Sequence, residues 1–276
     1  MFLEIICFLC GAGLAVAGSL TFAPIVHWWQ FFIPLLLYMA GWIAGIGIIF
    51  LLEWFASLFV NQKKPYNKIS SWARFWFKTG LRFITNHAHI WVKASGINKI
   101  PQHQRFVLVC NHRSKFDNFV ITNKLGKQDI AFITKKENNK IPVAGHLYPG
   151  LCYIPINRED KLQSLEAFKH AIDLMNNNIT SIAVFPEGTR QTENLIGEFH
   201  EGPFNIAIHA KAPIVVTTLK NADKVHSNWP FKATHVKFDV VAVIPYEEYQ
   251  DMPAKAVSDM VHKIMEEHLK QIQDHK

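Results

Sequence analysis

Two long apolar stretches open the chain, roughly residues 2–22 and 31–60, and nothing after them is comparable. Each reaches the ~20 residues that a helix needs to cross a bilayer core. From Ile69 to Val92 the aromatic and aliphatic residues, Trp72, Phe75, Trp76 and Phe83 among them, recur at helical spacing with Arg and Lys between them. That pattern predicts a helix lying against a membrane or joining an anchor to a domain, and fits an ordinary core helix equally well. Short apolar runs and helical stripes then alternate. Strands are predicted over 106–110, 130–134, 153–156, 181–185, 214–219 and 236–244. Helices are predicted over 117–125, 162–176, 203–210 and 254–273, with apolar residues at 165, 168, 172 and 175 forming a helical stripe in the second. A turn is expected at Asn176–Asn178.

Helices interleaved with short apolar strands indicate an α/β fold, with a mixed, largely parallel central sheet flanked by helices. The hydropathy break divides the chain into an N-terminal hydrophobic helix-pair membrane anchor, residues 1–62, and an α/β domain, residues 63–276.

Charge sharpens this picture. The first 60 residues hold only Glu4 and Glu53 as acids and no Lys or Arg. A cleaved signal peptide is a poor fit, because the basic leading region is missing and a second apolar stretch follows at once. Between residues 61 and 140 there are 16 Lys and Arg against Asp117, Asp129 and Glu137. Lys63, Lys64, Lys68, Arg74 and Lys78 come directly after the second stretch, so by the positive-inside rule the domain is on the cytoplasmic side. A pair of spans and a hairpin dipping into one leaflet fit equally well. The basic segment suits anionic membrane phospholipids. Nucleic acid is not an expected partner, since no helix-turn-helix, zinc-finger or RNA-binding signature is present. Cys7, Cys10, Cys110 and Cys152 all lie in apolar runs and are expected to be reduced packing residues.

Chemistry-bearing residues gather just beyond the strands, where α/β sheets place their sites. Asn111-His112-Arg113-Ser114-Lys115-Phe116-Asp117 follows the first strand, Lys135-Lys136 another, Asn157-Arg158 a third, and Pro186-Glu187-Gly188-Thr189-Arg190 a fourth. In one helix a five-residue step puts His112 and Asp117 on different faces; they meet only if the segment turns out of the strand and then enters a helix. As a pair they make a base and its orienting carboxylate. No Gly-x-Ser-x-Gly elbow signals a serine nucleophile, and Cys110, inside an apolar strand, is disfavoured as a thiolate. Gly188 permits close backbone approach, and Arg190 offers forked donors suited to phosphate, with Lys135 and Arg158 adding charge.

Asn111-His112-x4-Asp117, Gly150…Ile156-Asn157-Arg158, Phe185-Pro-Glu-Gly-Thr-Arg190 and Ala212-Pro-Ile-Val215 resemble, in order, the four motifs of the glycerolipid acyltransferases, most closely the 1-acylglycerol-3-phosphate acyltransferases. The resemblance covers roughly residues 70–250. It implies His112 as general base toward an acceptor hydroxyl and Asp117 as its orienter. It implies Arg190, helped by Lys135 and Arg158, as the holder of the acceptor phosphate, with Glu187, Gly188 and Thr189 in the same loop. It also implies lysophosphatidic acid and an acyl thioester, acyl-CoA or acyl carrier protein, as substrates, with no further cofactor. Fourteen histidines show no ligand spacing for a metal. Oxyanion donors are expected among the backbone N–H groups near Arg113 or Ser114.

Two departures stand out. Asn157 replaces the Asp that usually precedes the arginine, and Phe199-His200-Glu201-Gly202 replaces a basic Phe-Lys-x-Gly. The second keeps another lysophospholipid acceptor open. A catalytically silent lipid-binding protein and a membrane-anchored hydrolase are the more distant alternatives.

Overall fold

The computed structural model describes residues 2–22, 27–62, 66–126, 128–157, 159–191 and 195–274. Helices α1 (Phe2–Thr21) and α2 (Phe32–Ser57) form an antiparallel pair, joined through a 3-10 turn at Trp28–Phe31. Small residues let them approach closely: a Cβ on Gly41 would lie 2.4 Å from the Cys10 carbonyl oxygen, and one on Gly45 2.6 Å from Cys7 Cα. Both helices are long and apolar enough to cross a membrane.

Helix α3 (Ser71–His87) starts at Ser70, whose hydroxyl accepts the Ala73 N–H at 3.3 Å. The helix expected to run to Val92 stops at His87. Ala88 and His89 turn the chain, His89 taking a left-handed φ of 50°, and strand β1 (Ile90–Ser95) follows. That strand was hidden because Trp91 and Val92 also fit the helical spacing before them.

Then come β2 (Val107–Cys110), α4 (Asp117–Lys124), β3 (Ile130–Lys135), α5 (Ala144–Leu147), β4 (Ile154–Ile156), α6 (Lys161–Asn176), β5 (Ser181–Val184), α7 (Phe204–His209), β6 (Ile214–Lys220), α8 (Lys224–Asn228), β7 (Thr234–Ile244) and α9 (Ala254–Asp274). Among the described residues the sheet runs β1-β7-β6-β2-β5-β3-β4. Only the β6–β7 pairing is antiparallel. The mixed, mostly parallel α/β architecture is as the alternating pattern required. The central strands β2 and β5 are buried along their whole length, as expected for strands covered on both faces.

Helix α6 bears out most of the expected stripe: Met175 is buried, and Phe168 and Ile172 pack against the core. Leu165 is the exception at 63% exposed, and Ala167, Ala171 and Leu174 complete the buried face. Asn178 adopts φ 55° in the expected turn. Cys7, Cys110 and Cys152 are buried and Cys10 partly so, all as free thiols.

Candidate active site

The first motif is a loop that turns back on itself. Asn111 leaves β2 fully buried and braces the loop against β6: its Oδ1 accepts the Leu219 N–H at 2.7 Å, and its Nδ2 donates to the Leu219 carbonyl at 3.0 Å. The chain then turns so that Asp117, first residue of α4, faces His112. Asp117 Oδ2 lies 2.7 Å from His112 Nδ1 and also accepts the Arg113 N–H at 2.6 Å and the Ser114 N–H at 2.8 Å. A strand-end turn entering a helix therefore joins two residues that one helix would separate.

Burial pushes the fully buried Asp117 carboxyl above its ordinary range, while His112 and the two backbone N–H groups pull it back. Its other oxygen, Oδ1, has no partner among the described residues. The His112 side chain is 23% exposed, and no described group bonds its Nε2. Phe185 stacks on the imidazole at 4.4 Å and 21°, and Phe132 stacks on Phe185 in turn. The Arg113 and Ser114 N–H groups, expected to face an oxyanion, are instead spent on Asp117. Buried N–H groups take the nearest strong acceptor, and here that is the carboxylate.

The 186–190 loop meets the same histidine through the backbone. Glu187 is buried: Oε1 accepts the His112 N–H at 2.9 Å, and Oε2 the Gly197 N–H at 3.2 Å. Burial raises its carboxyl to about 7. Placed in a substrate-contacting set by sequence, Glu187 is turned inward and occupied by backbone amides. Gly188 has φ 73°, a conformation that favours glycine, and it reverses the chain so that Gln191 N–H reaches the His112 carbonyl at 2.9 Å. Thr189 and Arg190 emerge exposed, and Arg190 makes no hydrogen bond or ion pair among the described residues.

Lys135 ends β3 with an exposed ion pair to Glu137 at 3.7 Å. Arg158 lies outside the described residues. Its neighbour Asn157 uses its N–H on Gln163 Oε1 at 2.6 Å, fastening the β4–α6 turn. The His200 N–H donates to the Pro186 carbonyl at 2.9 Å, so the departed Phe-His-Glu-Gly segment borders the arginine loop. Sequence reasoning missed three supports: Phe185, the Asn111 brace, and Asp223, which holds Arg113 Nη2 at 3.3 Å. An Asn just before the histidine and an aromatic ending β5 were the available signals. Among the described residues no group of three or more His, Cys, Asp and Glu gathers as a metal would need.

The family model described as Acyltransferase matches residues 91–220, from β1 through β6. Just under half of the chain is therefore similar to an acyltransferase domain. Every candidate residue of the site, His112 through Arg190, falls inside it. The chain is 31% identical over 131 residues to a chloroplastic 1-acyl-sn-glycerol-3-phosphate acyltransferase of Brassica napus, covering 47% of this chain and 37% of that one. It is 26% identical over 174 residues to the enzyme of that name from Cocos nucifera, covering 61% and 55%. It thus spans between about a third and just over half of these relatives' length. The crystal structure of the 1-acyl-sn-glycerophosphate acyltransferase PlsC from Thermotoga maritima superposes with a TM-score of 0.63 at 20% identity, over 84% of this chain and 92% of that one. The chain shares that fold.

Proposed function

We propose that this acyltransferase domain transfers a fatty acyl group from a thioester to the sn-2 hydroxyl of lysophosphatidic acid, giving phosphatidic acid. The observation that carries the reading is the 2.7 Å His112 Nδ1–Asp117 Oδ2 contact, which leaves Nε2 without a described partner. The names borne by the relatives supply the substrate class.

Asp117 holds the proton on Nδ1, so Nε2 is the basic nitrogen. It takes the acceptor hydroxyl proton as that oxygen attacks the thioester carbonyl. When the tetrahedral intermediate collapses, the C–S bond breaks and the imidazolium returns the proton to the departing thiolate. A positioned base contributes about 10²- to 10⁴-fold, and fixed geometry contributes further. Glu187 acts here as a positioning residue, bracing the His112 backbone. Arg190, without a partner among the described residues, receives the acceptor phosphate, aided by Lys135 and Arg158. Burial drives the Cys110 thiol well up, which argues against an acyl-cysteine route. The donor is acyl-CoA or acyl carrier protein, both anionic and suited to a basic cytoplasmic face.

A second reading, a different lysophospholipid acceptor, rests on His200 and Glu201, exposed beside the arginine loop, where His200 stands in place of the lysine of a basic Phe-Lys-x-Gly and Glu201 adds an acid. Purified full-length chain in lipid, given labelled acyl thioester and lysophosphatidic acid, is expected to form phosphatidic acid. Activity only with another lysolipid would transfer the conclusion to that acceptor. No transfer to any lysolipid would remove it.

A further inference from the structure

We infer that the C-terminal helix α9 belongs to the catalytic scaffold, with His262 as a positioning residue that reaches His112 through Glu187. Helix α9 lies beyond the matched residues 91–220 and packs against α7, β6 and β7. Val257, Val261, Met265 and Leu269, each four residues after the last, form its buried stripe. His262 follows Val261 and is partly buried at the edge of that stripe.

His262 Nε2 lies 3.1 Å from the Gly197 carbonyl oxygen. A carbonyl only accepts, so Nε2 carries the proton and donates. On the same residue, the Gly197 N–H donates to Glu187 Oε2 at 3.2 Å, and Glu187 Oε1 accepts the His112 N–H at 2.9 Å. Gly197 thus holds α9 on its carbonyl and the brace of the catalytic histidine on its N–H. The contact is more than a passing one. Phe199 meets the His262 ring edge-on, with centroids 4.8 Å apart at 78°, and itself stacks on the buried Phe204 of α7.

The other support of the catalytic loop leads to the same helix. Asn111 braces against Leu219, and the next residue, Lys220, donates from Nζ to the Ile272 carbonyl near the end of α9 at 2.6 Å. Between these two ties, His268 Nε2 meets Asp239 Oδ2 at 3.3 Å, on the β7 residue that pairs with Thr218. Both backbone supports of His112 therefore end on α9, and a shift of this helix reaches the base along two routes. Catalysis is sensitive to such shifts, since a misplacement of about 1 Å costs about 10²-fold in rate. Loosening one tie by a fraction of that distance is enough to show in kcat.

The kinetic half of the test rests on the acyl-transfer reading, and the exchange half needs no turnover. Full-length chains in lipid are compared as wild type, His262→Phe, His262→Gln and Lys263→Ala. Phenylalanine keeps the ring against Phe199 and loses the donor, whereas glutamine restores an N–H near the Nε2 position. Lys263 is exposed on α9 and serves as the control. In His262→Phe, amide hydrogen exchange over 111–117 and 195–202 is expected to rise several-fold, while the buried strand β5, which reports global opening, stays unchanged. With lysophosphatidic acid and a labelled acyl thioester, kcat should fall about 3- to 30-fold with acceptor KM constant within about twofold. His262→Gln should recover most of both effects, and Lys263→Ala should match the wild type. Unchanged exchange in the two segments overturns the inference, whatever the turnover. So does a rise in acceptor KM at constant kcat, or a glutamine variant as impaired as the phenylalanine one. A wild type that transfers no acyl group removes the acyl-transfer reading alone, and the exchange result still decides the place of α9.

Discussion

The two halves of the site are built on opposite plans. Around His112 nearly every polar atom is committed: Nδ1, the backbone N–H and the carbonyl each hold a partner at 2.7–2.9 Å, and Phe185 fixes the ring plane. Among the described residues Arg190 has no hydrogen-bond or ion-pair partner, and Lys135 holds an exposed pair to Glu137. A base fixed before substrate arrives needs no reorganisation at the moment of reaction. Cations left in water are cheap for an arriving phosphate to recruit, since exposed ion pairs are worth little. The difference predicts that one half controls turnover and the other acceptor affinity.

The largest effect belongs to the base. His112→Ala should lower kcat by about 10²- to 10⁴-fold with acceptor KM little changed, measured with labelled thioester on folded protein. A larger loss of kcat from Arg190→Ala than from His112→Ala would break the division. Glu187→Gln comes next, because one amide oxygen cannot serve the N–H groups of both His112 and Gly197. One buried donor goes unpaired, which costs about 1–3 kcal/mol in denaturant unfolding.

Glu187 also carries a pH signature. Its folded carboxyl, raised to about 7 from 4.5, binds a proton more tightly than the unfolded chain does. Its stabilising contribution is therefore complete below 4.5 and lost as pH rises through 7. Across that window the wild type should lose stability relative to Glu187→Gln by about 3 kcal/mol. A flat difference would place the carboxylate in water.

Most of this architecture was readable because it is local. Val107–Cys110 and Ser181–Val184 are unbroken apolar runs, and the Asp160 cap of α6 precedes a plain helix. The residues that bear chemistry sit at strand ends, so their order along the chain already suggested one site. What sequence could not give was direction. Glu187 turns inward and Arg190 outward, three residues apart, because Gly188 reverses the chain between them. The backbone N–H groups of Arg113 and Ser114 looked free for an oxyanion until the carboxylate of Asp117 was placed against them. The same blindness hid β1 and set Leu165 in the stripe of α6, because tertiary neighbours and not spacing alone choose which positions are covered.

On the open half, Arg190→Ala should raise acceptor KM about 10- to 100-fold and leave kcat within a few-fold, since a charge-assisted contact to phosphate is worth about 1.5–3 kcal/mol. Arg190→Lys should recover part of this, keeping the charge but losing the fork.

Lys135→Ala should have the smallest effect. The side chain is exposed, its pairing with Glu137 is loose at 3.7 Å, and a screened point charge contributes under about 1 kcal/mol. Acceptor KM should rise by no more than about fivefold at low ionic strength. Near 1 M salt, where the screening length falls to about 3 Å, wild type and variant should converge. The increments of Arg190→Ala and Lys135→Ala should add if each cation meets the phosphate independently. A Lys135→Ala defect that equals the Arg190→Ala defect and persists in salt would mean that ligand binding knits this half as tightly as the histidine half.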